Sequence, residues 1–190
     1  MSKHRLVVAH YKEDLSWLAY VDPEIDVLVY DKFALSSIAT VKSKLLPNIG
    51  REAHTYLHHI VENYNNLDDM TTFCQGNPFA HHPPFLIELH QPMSGFRMHA
   101  HQTRWALIWN GVWANELMHL PDFYRQLFDT DVYDRKPFCY WEGAQFSVSR
   151  EIILNRSLEF YKKALRMTEI DEFAAWKIER LWHEIFGMAI

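Results

Sequence analysis

Residues 46–79 constrain the fold of this chain more than any other segment. Apolar residues recur there at the spacing of one helix face: Ala53, Tyr56, Leu57, Ile60, Val61 and Tyr64. Asn48 is the predicted N-cap, and Asn65 and Asn66 are predicted to end the helix, because asparagine tolerates a left-handed backbone. Residues 70–74 form a short run of apolar and β-branched residues, which predicts a buried strand.

Polar residues and a glycine follow this strand directly, namely Gln75, Gly76 and Asn77. Ligands of open α/β sheets bind just beyond the carboxyl ends of the strands. If the sheet is parallel here, these three residues face a crevice, and we predict that they bind a ligand.

Two earlier segments repeat the pattern of a short apolar strand with a polar end. Residues 5–10 precede a polar loop, and residues 25–30 precede Asp31 and Lys32. Residues 34–46 are interpreted as a loop followed by a short helix. The alternation predicts a single α/β domain over residues 1–190, with a mostly parallel, Rossmann-like central sheet flanked by helices. Asp31 is placed to bind a ribose or base edge; alternatively, it pairs with Lys32 at the surface.

Arg51 lies at the start of the predicted long helix. A guanidinium beside the unpaired N–H groups of a helix start makes a good diphosphate site. In that case Arg51 and the loop of residues 75–77 must lie in one cleft. The alternative is a surface ion pair of Arg51 with Glu52, or a contact with Asp68 or Asp69.

Histidines give a second, metal-based hypothesis. His54 and His58 share a helix face that Glu62 continues, as in some zinc sites. Thr55 stands where zinc proteases of this spacing carry their glutamate. A metal-dependent hydrolase built on these histidines is therefore kept as an alternative, without assigning metal ligands.

Composition bounds the partners and the compartment. The net charge of −5 gives no electrostatic reason to expect nucleic-acid binding. No apolar run approaches the roughly 20 residues of a membrane helix. Two cysteines are too few for a disulfide framework, so buried thiols in a reducing compartment are expected. These features predict a soluble, cytoplasmic protein.

Several motifs together carry a resemblance to a known family. In chain order they are VVAHYKEDLSWL, VLVYDK, GREAHTYLHHIVENY, FCQGNPF, GAQFSVSREIIL and ERLWHEIFG. In these motifs the chain resembles a family catalogued only as a domain of unknown function, over nearly its whole length, with a weaker middle from about residue 84 to 137. Ala80 departs from the family, which usually carries an acidic residue there. That family in turn resembles the nucleotide-sugar glycosyltransferases of the GT-A fold.

This second resemblance implies transfer of a sugar from a nucleoside diphosphate sugar to a glycan or another hydroxyl acceptor. It also implies that Tyr11 and Glu13, in the loop after the first strand, contact the nucleotide. The alternative is that Tyr11 packs and Glu13 is solvated. The sequence Asp129-Thr130-Asp131 matches the Asp-x-Asp that holds Mn²⁺ or Mg²⁺ in such enzymes, but it does not end a central strand. Dependence on Mn²⁺ or Mg²⁺ is therefore left open.

The acceptor side is expected in the C-terminal half. GT-A enzymes often carry an aromatic residue, a glycine and an acid there, which implies acceptor contacts for Trp141 and Gln145 and a general-base role for Glu142. The alternative is that Glu142 is a solvated turn residue.

Glu179 is the second candidate base, because its aromatic neighbours should desolvate it and raise its pKa. Trp182, on the same helix, is a further candidate for acceptor binding. The alternative for Glu179 is a structural ion pair with Arg180. A non-catalytic carbohydrate- or protein-binding module that uses only the aromatic residues is the third hypothesis.

Overall fold

The computed structural model describes residues 3–33, 41–100, 103–107, 120–130 and 137–187. Its strands are β1 (His4–His10), β2 (Ile25–Asp31), β3 (Lys42–Leu45), β4 (Met70–Gln75), β5 (Phe96–Met98), β6 (Thr103–Leu107), β7 (Pro137–Trp141) and β8 (Phe146–Ser149). Its helices are α1 (Arg51–Asn63), α2 (Phe85–Leu89), α3 (Leu120–Phe128), α4 (Arg150–Leu154), α5 (Leu158–Ile170) and α6 (Ala174–Ile185). Within these ranges, no helix is both long and apolar enough to cross a membrane.

Six strands form one sheet in the order β3-β2-β1-β4-β8-β5. The first four run parallel, while β8 runs antiparallel to both β4 and β5. β6 and β7 pair separately as an antiparallel ribbon. The strand order reverses between β1 and β4, which is the switch point of a doubly wound sheet. These findings confirm the predicted α/β fold with a mostly parallel central sheet.

Alternate residues of the central strands enter two apolar layers. Val7 and Phe73 belong to the larger layer, which contains buried residues of α1, α5 and α6. Leu6 and Cys74 belong to the smaller layer, together with Trp17 and residues of α2. Because side chains alternate across a strand, each face of the sheet buries one of these layers, and the strand ends are where a ligand site is expected.

The long helix and the strands beside it agree with the sequence expectation, but two local predictions were wrong. The N-cap of α1 is Gly50, with a φ of 56°, and not Asn48. The short helix expected before residue 46 is instead strand β3, whose four residues are all exposed at the sheet edge. Charged side chains are common on edge strands because they discourage pairing with another chain. Asp131 of the Asp-x-Asp match lies outside the described residues.

Candidate functional site

A cavity of about 320 Å³ lies at the carboxyl ends of β1 and β4, where the strand order reverses. Residues from both strand ends, from the loops after β1 and β2 and from the start of α1 line it: Ala9, His10, Tyr11, Glu13, Lys32, Asn48, Arg51, Glu52 and Gln75. A crevice in this position is the usual ligand site of an open α/β sheet.

Arg51 and Gln75 both line this cavity, so the predicted cleft brings the helix start and the strand end together. His10, Asn48 and Glu52 line it too, and sequence reasoning missed all three. Asn48 and Glu52 flank Arg51 in the chain, and His10 is the last residue of β1. Their position near predicted site residues in the chain is the one signal that could have identified them from the sequence.

A second cavity, of about 480 Å³, shares Tyr11, Lys32 and Asn48 with the first. Phe33 is part of its wall, together with Leu45, Leu46 and Pro47. The rings of Tyr11 and Phe33 pack edge to face, with centroids 5.2 Å apart. A polar compartment and an aromatic one therefore meet at Tyr11.

The turn into α1 has an uncommon backbone. Gly50 and Arg51 have φ values of 56° and 48°, and such a conformation is costly for an arginine. The Lys32 ammonium donates hydrogen bonds to the carbonyl oxygens of Ile49, at 2.6 Å, and Arg51. These bonds hold the turn, and burial lowers the pKa of Lys32 to about 8.

The Arg51 side chain is 59% exposed and remains close to an acid. Its Nε lies 3.6 Å from Glu52 Oε2, and its guanidinium carbon lies 5.1 Å from the ring centroid of Trp176. The Glu52 side chain is only 11% exposed, but at 3.6 Å from an exposed guanidinium the pair contributes modestly to stability. Arg51 can therefore turn toward an anion in the cavity at small cost.

Two predicted ligand-binding carboxylates are engaged within the protein. Glu13 Oε2 accepts hydrogen bonds from the backbone N–H groups of Tyr11, at 2.8 Å, and Lys12. Asp31 Oδ1 is buried beside His10 Nδ1, at 3.1 Å, and accepts the N–H of Phe33. Glu13 still lines the cavity, whereas Asp31 pairs with His10 and not with Lys32, and its contact with a ribose or base edge stays a prediction.

Gly143 connects the cavity to the candidate base Glu179. The Gln75 side-chain amide donates to the Gly143 carbonyl oxygen at 3.0 Å, and the Gly143 N–H donates to Glu179 Oε1 at 2.8 Å. Burial raises the pKa of Glu179, and the charges of Glu52 and Glu142 raise it further. The raised pKa agrees with the sequence expectation, while the role as a base stays a prediction. Glu142 itself lies in the partly exposed turn before β8.

The other two predicted ligand-binding residues after β4, Gly76 and Asn77, lie in different environments. The Gly76 carbonyl oxygen accepts the indole N–H of Trp17 at 2.8 Å, and Gly76 is buried against Glu13. Asn77 is exposed. Binding roles for these two residues remain predictions.

Two predicted acceptor contacts need correction. Trp182 is 0% exposed and packs on Phe146, with ring centroids 4.8 Å apart, so it belongs to the core. Gln145 is also fully buried and donates its amide N–H to the Pro78 carbonyl oxygen. Trp141 is partly exposed and stacks on His183 at 4.1 Å, so it is the one aromatic of this group that an acceptor can reach.

The histidine pair that suggested a metal from sequence does not assemble a site. His54 and His58 stack with ring centroids 6.0 Å apart, and His54 Nε2 lies 3.9 Å from Glu169. Among the described residues, the one group of three or more metal-ligating side chains with converging donor atoms is His82, Glu88 and His99. The sequence analysis passed over this group, because its members come from three separate segments.

Comparison with known proteins identifies a family. The profile of the family described as "Protein of unknown function (DUF3431)" matches residues 6–104, which include every residue that lines the two cavities. No curated protein matches the sequence.

Proposed function

The chain belongs to the DUF3431 family, whose description names no activity, and from the chemistry of the cavity we propose that it is a glycosyltransferase. Its donor is a nucleoside diphosphate sugar, and its acceptor is a hydroxyl group of a glycan or another molecule. The observation that carries this proposal is the cavity at the switch point, with Arg51 and the start of α1 in its wall.

The polar compartment suits a diphosphate. The positive end of α1 and the exposed guanidinium of Arg51 both favour an anion. Lys32 adds a cation beneath the turn, although its hydrogens already bind carbonyl oxygens. A mobile arginine that neutralises phosphate oxygens fits a ligand that binds and leaves during turnover.

The aromatic compartment suits a nucleobase. Tyr11 and Phe33 lie beside the polar compartment, so a base stacked there keeps its diphosphate near Arg51. Stacking on one aromatic ring contributes about 1–3 kcal/mol and tolerates any base. The two cavity volumes fall within the range of small-molecule sites.

The transfer step needs a base on the acceptor side. The acceptor oxygen attacks the anomeric carbon, its proton passes to a carboxylate, and the bond from that carbon to the diphosphate oxygen breaks. Glu179 is the stronger candidate because its raised pKa favours proton uptake. Glu142 neighbours the accessible ring of Trp141 and is the second candidate.

The deciding experiment measures binding. We expect UDP, GDP or a corresponding nucleotide sugar to raise the melting temperature and to give a calorimetric Kd, each measured with and without Mn²⁺. Arg51→Ala should weaken binding by about 10- to 100-fold, the equivalent of one charged hydrogen bond. Arg125→Ala, which removes another exposed arginine, is the matched control and should leave Kd unchanged. Absence of binding by any nucleotide would end the proposal.

Turnover separates the transferase from a binding module. Glu179→Gln or Glu142→Gln should lower kcat by about 10²–10⁴-fold with little effect on nucleotide Kd. Binding without any release of nucleoside diphosphate from the donor, across a panel of acceptors, would favour the non-catalytic module.

A further inference from the structure

Three ligand-type side chains converge on the face of the sheet opposite α1. His82 Nε2 lies 3.0 Å from Glu88 Oε1, and His99 Nδ1 lies 3.0 Å from Glu88 Oε2. Their donor atoms all lie within 4.8 Å of one another. Ligand atoms about 2.0–2.1 Å from a zinc ion lie about 3.4 Å apart in a tetrahedron, so a small shift would seat a metal.

His82 lacks the hydrogen bonds that a buried imidazole normally makes. Its side chain is 7% exposed, its Nδ1 has no hydrogen-bond partner among the described residues, and its Nε2 has only the Glu88 carboxylate 3.0 Å away, without normal hydrogen-bond geometry. Buried polar atoms without partners are rare and costly. A metal ion between the three side chains would satisfy one of these nitrogens.

Hydrogen bonds through the ring nitrogen that faces away from Glu88 orient His99. Its Nε2 lies 2.8 Å from Ser147 Oγ, which lies 2.6 Å from Thr72 Oγ1, and His4 Nε2 lies 2.8 Å from that hydroxyl. Metal-bound histidines commonly hydrogen-bond through the other ring nitrogen, which fixes tautomer and ring orientation. His99 is fully buried. The series of hydrogen bonds through its Nε2 leaves its Nδ1 facing the cluster.

Backbone hydrogen bonds place the ligands before any metal arrives. The His82 N–H donates to the Pro78 carbonyl oxygen at 3.0 Å, and the His99 N–H donates to that of Gln145 at 2.8 Å. The Phe85 N–H, at the start of α2, donates to the His82 carbonyl oxygen at 3.0 Å. Each ligand is therefore held by an ordered segment.

We propose that His82, Glu88 and His99 bind one divalent transition-metal ion. Two imidazoles and one carboxylate are the donor set of zinc sites with an open position and of Fe(II) facial sites. The metal would connect the loop after β4, helix α2 and the end of β5. It would thus brace the loop that carries Gln75 into the cavity, and this inference is independent of the transferase proposal.

The test measures metal directly on the intact protein. After chelation and dialysis, we expect Zn²⁺ to bind with one ion per chain and to raise the melting temperature by several degrees. Fe²⁺ titrated without oxygen shows whether the site also binds that ion, because two imidazoles and a carboxylate suit both metals. Elemental analysis of untreated protein identifies the ion carried from the cell.

Matched variants separate this site from adventitious binding by a histidine-rich chain. Glu88→Gln and His82→Asn should each weaken Zn²⁺ binding by at least 100-fold, and Ser147→Ala, which perturbs orientation only, by about 10-fold. The double variant His54→Gln with His58→Gln should keep full affinity. Equal binding by all variants, or an untreated protein without metal that Zn²⁺ does not stabilise, would overturn the proposal.

Discussion

The parallel and antiparallel halves of the sheet make polar sites in different ways. In the parallel half, β1, β2 and β4 end at one edge, and their following loops collect polar residues around an open cavity. In the antiparallel half, Thr72 of β4 stands opposite Ser147 of β8. Hydrogen bonds join this pair to His99 of the cluster formed by His82, Glu88 and His99. The cavity is built from strand ends, whereas the three side chains of the cluster come from the loop after β4, from α2 and from the end of β5.

This difference explains their different chemistry. The cavity is lined by an exposed arginine and by carboxylates that hold their own loops, so its groups can exchange partners with a ligand. In the cluster His82 and His99 are buried while Glu88 is 28% exposed, and both ring nitrogens of His99 have partners. We therefore expect the cavity to bind and release ligands, and the cluster to hold a permanent ion.

Gly143→Ala should reduce stability most, because Gly143 contacts both Gln75 of the cavity and His81 beside the cluster. Its φ is 99°, and an added Cβ would lie 2.7 Å from the Cβ of His81, the neighbour of His82. The backbone cost and the clash together should lower the free energy of unfolding by about 3–4 kcal/mol. Urea unfolding at neutral pH measures this loss.

Gly95→Ala is the control for that variant. Its φ is 72°, but the added Cβ would lie 3.9 Å from Ile152 Cδ1, an ordinary contact. It should lose only the backbone contribution, about 1–2 kcal/mol. Equal losses in the two variants would show that the packing of Gly143 on His81 does not matter.

His4, at the start of β1 in the parallel half, should make the folded protein sensitive to acid. Burial, with a smaller contribution from the charge of His99, lowers the pKa of His4 to about 4, whereas the unfolded chain has the ordinary value of 6.5. Between these values the unfolded state binds more protons, so stability is lost as the pH falls. In metal-free protein, the wild type should lose about 2 kcal/mol more than His4→Gln between pH 7 and 4.5.

A His4→Gln profile parallel to that of the wild type would mean that His4 is protonated without cost in the folded state.

The titration of Glu179 should change the stability least, and its pH dependence should be opposite to that of His4. Burial raises its folded pKa, so the folded state binds the proton more tightly and stability falls as the pH rises through the interval between the unfolded and folded values. Glu179→Gln keeps an oxygen that accepts the Gly143 N–H, and it should remove this decline. Melting temperatures across pH 4–8 test it, and a wild-type curve that rises in step with the variant would contradict it.

Periodic apolar patterns made most of the fold predictable. The stripe of α1 and the short runs of β1, β2 and β4 each specify one element, because a single period fits them. β3 was missed because the segment Lys42–Leu45 is exposed and charged, so it carries no burial pattern. The reversed direction of β8 depends on pairing with β4 and β5 that no local pattern encodes.

The residues of the candidate site were predictable from the sequence where they lie at the ends of parallel strands. Gln75 and Arg51 were placed in one cleft because the ends of parallel strands and the starts of the following helices share an edge. Trp182 was misplaced because one aromatic stripe serves equally for core and for surface. His82, Glu88 and His99 follow no common spacing, so only the assembled fold brings them together.

Gly76 has a consequence for how the cavity can move. A Cβ at this position would lie 2.5 Å from Glu13 Oε2, so the backbone after β4 rests directly on the carboxylate that holds the N–H groups of Tyr11 and Lys12. A ligand that displaces Tyr11 must therefore deform both loops at once. The amide protons of Tyr11 and Lys12 should then exchange with solvent in the same opening event as those around Gly76, as one cooperative unit.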